Sequence, residues 1–163
     1  QVDLTTDNYI LGQLKKLPKG DIKSLIYYKL LVANKKEINT AVDISPKIKE
    51  MDFKLTPKIN NELSQLLGIY FDNAIEAASE CSKKTISFEI YKIHNDLIFV
   101  IMNSYNNKIN LNNINKKHFS TKGVGRGKGL YFAKKIIKHS TCFTEEHQLR
   151  NNYYIQKLII KKE

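Results

Sequence analysis

Apolar residues recur along the chain with two periods, and the switches between them predict the elements. Ile10, Leu11, Leu14 and Leu17 are spaced as one helical stripe, which Pro18-Lys19-Gly20 interrupts. Ile22, Leu25, Ile26, Leu30 and Ala33 form a second stripe and predict a helix over 21–36. Residues 38–44 read as a short strand ended by Pro46, and 53–55 as another before Pro57. Pro57 suits the first position of a helix and Thr56 its N-cap, so a long helix is expected over 57–80. Residues 84–93 and 96–104 alternate, are rich in Ile, Phe, Tyr and Val, and flank the turn signal His94-Asn95-Asp96, which predicts a hairpin. A polar, Asn-rich loop covers 105–118. The glycine-rich stretch 123–129 then opens a helix over 128–139. Two closing strands, 141–148 and 153–161, meet at Arg150-Asn151-Asn152. Hairpins and helices without repeated βαβ units predict an α+β fold, a two-layer sandwich whose mixed, mostly antiparallel sheet is covered by helices on one face.

Composition narrows the class. The chain has 163 residues, 42% apolar and 26% charged, which is the make-up of one globular domain. The longest apolar run, 97–102, is six residues, far short of the roughly 20 a membrane helix needs. No basic-then-apolar leader pattern opens the chain. Cys81 and Cys142 stand apart without CxxC spacing, which excludes a disulfide scaffold and suits a reducing compartment. The net charge is +11, but Arg126 and Arg150 are the sole arginines. Arginine is the residue that grips phosphate and guanine bidentately, so a lysine surplus scattered along the chain reads as a soluble surface, and no nucleic-acid partner is expected.

Two segments carry candidate chemistry. In the helix 57–80, apolar residues occupy nearly the whole circumference of Leu66-Leu67-Gly68-Ile69-Tyr70-Phe71-Asp72-Asn73-Ala74-Ile75-Glu76-Ala77-Ala78, which predicts burial on more than one side. Asp72, Asn73 and Glu76 fall within one turn of it. Buried charges and amides need partners, and Mg²⁺ with phosphate supplies one, since that ion takes hard oxygen ligands and few of them from protein. The alternative is that the three form the polar edge of an amphipathic helix. The second segment is Phe119-Ser120-Thr121-Lys122-Gly123-Val124-Gly125-Arg126-Gly127-Lys128-Gly129-Leu130. Its glycines let backbone approach a ligand, and the helix that follows offers unsatisfied N–H groups to an anion. The pattern is neither a Walker A loop nor a dinucleotide fingerprint. Read by itself, it could equally be a surface loop.

Together these segments resemble the GHKL superfamily of ATP-binding domains. Residues 67–78 resemble its N-box, and 119–130 its F and second glycine boxes. The wording is most similar to the AgrC/VirS type of quorum-sensing sensor histidine kinase, over roughly residues 20–140. The resemblance implies ATP and Mg²⁺ as cofactors, held between the N-box helix and a mobile lid of about 105–126. It implies Asn73 as the metal ligand, Gly125, Gly127 and Gly129 as the phosphate cradle, and Lys122 and Arg126 as offsetting cations. Gly123 and Leu130 belong to the same nucleotide-binding box, and Asn73 with Lys122 to the catalytic set.

The resemblance further implies residues 1–19 as the tail of a dimerisation or linker helix and 20–163 as the catalytic domain. The phosphoacceptor histidine would lie on an upstream dimerisation segment of a homodimeric kinase, anchored in the cell membrane, whose cytoplasmic domain this would be. A response regulator would receive the phosphate in two-component signal transduction. None of His94, His118, His139 and His147 sits on the first helix.

Two departures from the family pattern matter. The position of the general base in strong ATPases is Ile69, so slow hydrolysis is expected. The adenine-binding aspartate of DxGxG is absent, and Asn103, closing Ile101-Met102-Asn103, offers a neutral acceptor instead or simply ends the strand. Two rival readings are an anti-sigma-factor serine kinase of the same superfamily and a non-catalytic basic nucleic-acid-binding module.

Overall fold

The computed structural model describes residues 4–106 and 128–162. Its elements in chain order are α1 (Leu4–Leu14), α2 (Asp21–Lys35), β1 (Asn39–Ile44), a 3-10 turn (Glu50–Phe53), α3 (Pro57–Ser79), β2 (Thr85–Ile93), β3 (Asp96–Ser104), α4 (Lys128–His139), β4 (Phe143–Arg150) and β5 (Tyr153–Ile160). The strands form one sheet in the order β1-β2-β3-β5-β4. β1 runs parallel to β2, and the other three pairings are antiparallel. Parallel neighbours need a long crossover, which α3 supplies. Helices pack on one face, giving the α+β two-layer sandwich that the pattern predicts. Among the described residues no helix is long and apolar enough to cross a membrane.

The turns follow from their residues. β2 and β3 join through His94 and Asn95, with His94 at φ +55°. β4 and β5 join through Asn151 and Asn152, both at positive φ, which asparagine tolerates better than most side chains. On β2 every second residue facing the helices, Ile86, Phe88 and Ile90, is apolar and buried. Phe88 on β2 is fully buried and stacks between Phe71 of α3 and Phe99 of β3, with ring centroids 5.1 and 6.5 Å away.

Two expectations change. Residues 53–55 form no strand. The Asp52 carboxylate accepts from the Lys49 N–H at 2.7 Å and pairs with Lys92 at 2.8 Å, so this stretch turns in 3-10 geometry. Leu11 does not belong to the buried stripe of α1 and is 40% exposed, whereas Ile10, Leu14 and Leu17 join the same core as Ile26 and Val42. The rest of α1 covers the edge of β1. The Tyr9 hydroxyl donates to the Val42 carbonyl, the Ile44 N–H to the Gln13 side-chain oxygen, and the Lys16 ammonium to the Ile44 carbonyl. An open edge strand thereby has its outward backbone groups satisfied by side chains.

Asp52 also locks the end of the sheet where β3 starts, beside Lys92 and Lys162. Burial acts to raise its pKa. The Lys92 hydrogen bond, the Lys49 N–H and the charges of Lys92 and Lys162 together outweigh that and hold it below its ordinary 3.8. A depressed folded pKa stabilises the native state above the unfolded value, and that contribution is lost as pH falls through the folded value. Asp52→Asn should therefore cost about 1–3 kcal/mol at pH 7. In urea titrations the gap to the wild type should close below pH 3.8; an equal gap at pH 7 and pH 3 would contradict the assignment.

Candidate nucleotide site

α3 starts where Thr56 accepts from the Ile59 N–H at 3.2 Å and Pro57 occupies the first helical turn. Its buried residues, Leu63, Leu66, Leu67, Tyr70, Phe71, Ala74, Ile75 and Ala78, follow i, i+3, i+4 spacing and make one broad stripe against the sheet. Asp72 and Asn73 do not act together. Asp72 is exposed and its carboxylate pairs with Lys29 of α2 at 2.5 Å, so it takes the role of polar helix edge. Asn73, one residue on and so about 100° round the helix, turns elsewhere. It is half-buried, and its Nδ2 is fully buried without a hydrogen-bond partner among the described residues. Among the described residues, no cluster of three or more His, Cys, Asp or Glu side chains could hold a metal ion.

What Asn73 faces is the start of α4. A Cβ placed on Gly129 would lie 3.3 Å from Ile69 Cγ2 and 3.9 Å from Asn73 Nδ2. Glycine at 129 thus lets the first turn of α4 approach α3 at Ile69 and Asn73. That turn carries the N–H groups which no helix can satisfy internally, and the positive end of its dipole. A carboxamide with an unpartnered polar atom beside a helix N-terminus fits a magnesium–phosphate group. It can present its oxygen to a hard cation or its N–H₂ to a phosphate oxygen.

Asn103 closes β3 on the inner face, 2% exposed, paired in register with Ile86 of β2 and Tyr154 of β5. Its Nδ2 donates to the Ser104 carbonyl at 2.9 Å, which leaves the side-chain oxygen as the group's acceptor. Beside it, Tyr105 and Tyr154 face one another with centroids 6.3 Å apart. Leu130 of α4 and Ala77 of α3 pack on that pair. Gly129 thus lies against Asn73, and Leu130 packs on the Tyr105–Tyr154 pair, whose Tyr154 is the register partner of Asn103. Lys122, Gly123, Gly125, Arg126 and Gly127 lie outside the described residues. An open groove of about 710 Å³ also runs between α3 and α4, lined by Gly68, Ile69, Asp72, Phe132 and Ile136 among others; it includes neither Asn73 nor Asn103.

Sequence reasoning missed one buried group. Glu145 occupies an inward position of β4, and its carboxylate accepts from the Tyr70 hydroxyl at 2.6 Å. Burial first, and Glu145 second, push the Tyr70 phenol far above its usual range, so it stays a donor. The available signal was alternation: Phe143, Glu145, His147 and Leu149 share one face, and a carboxylate there has to find a partner.

A five-stranded mixed sheet, helices on one face and an amide set against a glycine-opened helix define the class expected from the motifs. The chain belongs to the GHKL domain family, whose profile matches residues 60–161. A search of curated proteins gives no match. Solved structures share the fold. The catalytic domain of histidine kinase ThkA, in a nucleotide-free form, aligns with a TM-score of 0.63 at 19% identity, over 88% of this chain and 94% of that one. The Acinetobacter baumannii histidine kinase AdeS gives 0.61 at 16% identity, over 97% and 74%. ThkA in complex with the response regulator protein TrrA gives 0.64 at 17% identity, over 88% and 41%.

Proposed function

We propose that this domain binds Mg-ATP and donates its γ-phosphate to a histidine on the dimerisation segment of a homodimeric sensor kinase, a response regulator receiving the phosphate next. The observation that carries the reading is the buried Nδ2 of Asn73, without a hydrogen-bond partner among the described residues, set against the first turn of α4. Asn73 would hold the metal, and the N–H groups opening α4 at Gly129 and Leu130 would hold phosphate oxygens, with Gly123, Gly125 and Gly127 completing the cradle. Lys122 and Arg126 would offset charge. A magnesium ion bound there supplies neutralisation of the triphosphate.

The chain's own residues do the rest. The Asn103 oxygen accepts from the adenine amino group, and its nitrogen is already committed to Ser104. Guanine, which presents an acceptor at the same place, is disfavoured. Ile69 packs where the first turn of α4 meets α3 and holds no proton. Water therefore finds no base there, and positioning for a protein nucleophile is what remains. The run Leu67-Gly68-Ile69-Tyr70-Phe71-Asp72-Asn73 supports the AgrC/VirS quorum-sensing type in particular. Residues 1–19 would then be the linker to the dimerisation segment, and the parent protein would be membrane-anchored with this domain in the cytoplasm.

Incubation with labelled ATP and a longer fragment that carries the dimerisation segment tests this. Acid-labile label on that fragment, and none on the domain alone, is expected. Acid-stable label on serine would favour the anti-sigma-factor type of kinase, and label on the domain's own histidines would contradict the acceptor assignment.

A further inference from the structure

The Glu145 carboxylate is more than a satisfied core group, because its two oxygens face two different helices. Oε2 accepts from the Tyr70 hydroxyl of α3 at 2.6 Å and from the Gln156 amide of β5 at 3.4 Å. Among the described residues Oε1 makes no hydrogen bond and has the Lys134 ammonium of α4 at 3.6 Å. The Glu145 side chain is 8% exposed, that of Lys134 about half exposed. Tyr70 lies one turn before Asn73 on α3, and Lys134 lies in the second turn of α4 after Gly129. The carboxylate thus ties the two helices that carry the two halves of the phosphate site.

Among the described residues α4 has little else to fix it. Ala133 is its one fully buried side chain, Leu130, Ile136 and Ile137 are partly buried, and Phe132 is 51% exposed. An apolar contact of that size resists sliding weakly, since the hydrophobic effect has no direction. The Lys134 ion pair adds a contact to a carboxylate that the Tyr70 and Gln156 hydrogen bonds hold in place on α3 and β5. We infer that Tyr70, Glu145 and Lys134 are positioning residues for the triphosphate: they set the distance between the Asn73 amide and the N-terminus of α4. This rests on the Mg-ATP reading above. It adds that triphosphate affinity and adenosine affinity are separable, because Asn103 stands on β3 and is not held by the clamp.

The test compares Mg-ATP with adenosine by titration calorimetry, on the whole domain. Lys134→Met should weaken Mg-ATP by about three- to fivefold, the upper part of the range for an exposed ion pair, and leave adenosine unchanged. Tyr70→Phe removes no charge and should show the same selectivity, which separates helix positioning from attraction of a lysine for phosphate. Lys134→Arg should restore the wild-type preference. Equal losses for both ligands, or Tyr70→Phe binding as the wild type does, would overturn the clamp. A wild-type domain with no preference for Mg-ATP over adenosine would instead overturn the reading on which the clamp rests.

Discussion

Replacing Asn73 by alanine is expected to raise stability slightly while removing magnesium-dependent nucleotide binding. The two effects have opposite signs for one reason. Asn73 Nδ2 is buried with no hydrogen-bond partner among the described residues, so that group costs the folded protein desolvation without a compensating hydrogen bond from them. Alanine deletes that cost and is the better helix former by a few tenths of a kcal/mol. Asn73 is half-buried and is not among the fully buried residues of α3, which include its neighbours Phe71 and Ala74. If Asn73 ligates the metal as proposed, its loss removes several kcal/mol of charge stabilisation, roughly 100-fold or more in affinity. Titration with a fluorescent ATP analogue in the presence and absence of magnesium, beside a thermal melt, reads both. Affinity like that of the wild type would remove Asn73 from the site, and a fall in melting temperature would show that its amide has a structural partner.

The largest expected loss of stability lies far from that amide. Phe88→Ala should destabilise the domain by about 3–5 kcal/mol, the usual range for an aromatic residue truncated in a core. Phe88 is fully buried, and its ring stands between those of Phe71 and Phe99, so the site cannot collapse without moving α3 against β3. For a domain of this size that corresponds to a fall of roughly 10 °C in melting temperature. A change below about 1 kcal/mol, measured as a urea midpoint at constant slope, would mean that α3 does not rest on β2 and β3 as described.

How far the sequence reveals this follows from the range of the interactions involved. β2, β3, α3 and α4 are legible because their signals are local: alternation, an N-capping threonine before proline, a glycine that opens a helix. The 3-10 turn at Glu50–Phe53 is not legible, since Asp52 turns the chain with a lysine 40 residues away. Nor is the separation of Asp72 from Asn73. Lys29, 43 residues upstream, decides that Asp72 is a surface ion-pair partner. Period alone places the two side by side. The motif resemblance singled out Asn73, Gly129, Leu130 and Asn103; Gly129 lies against Asn73, and Leu130 packs on the Tyr105–Tyr154 pair beside Asn103. It could not have located Glu145, whose partners come from three separate elements: Tyr70 on α3, Lys134 on α4 and Gln156 on β5.

The central claim is that Asn73 and the first turn of α4 converge on one triphosphate. Amide and side-chain NMR shifts on addition of magnesium and a non-hydrolysable ATP analogue test it most directly. The account predicts that the largest changes fall on the Asn73 side-chain amide and the backbone of Gly129 and Leu130, with Asn103 responding also to adenosine alone. Changes confined to the groove at Phe132 and Ile136, or none in any of these residues at saturating nucleotide, would contradict it.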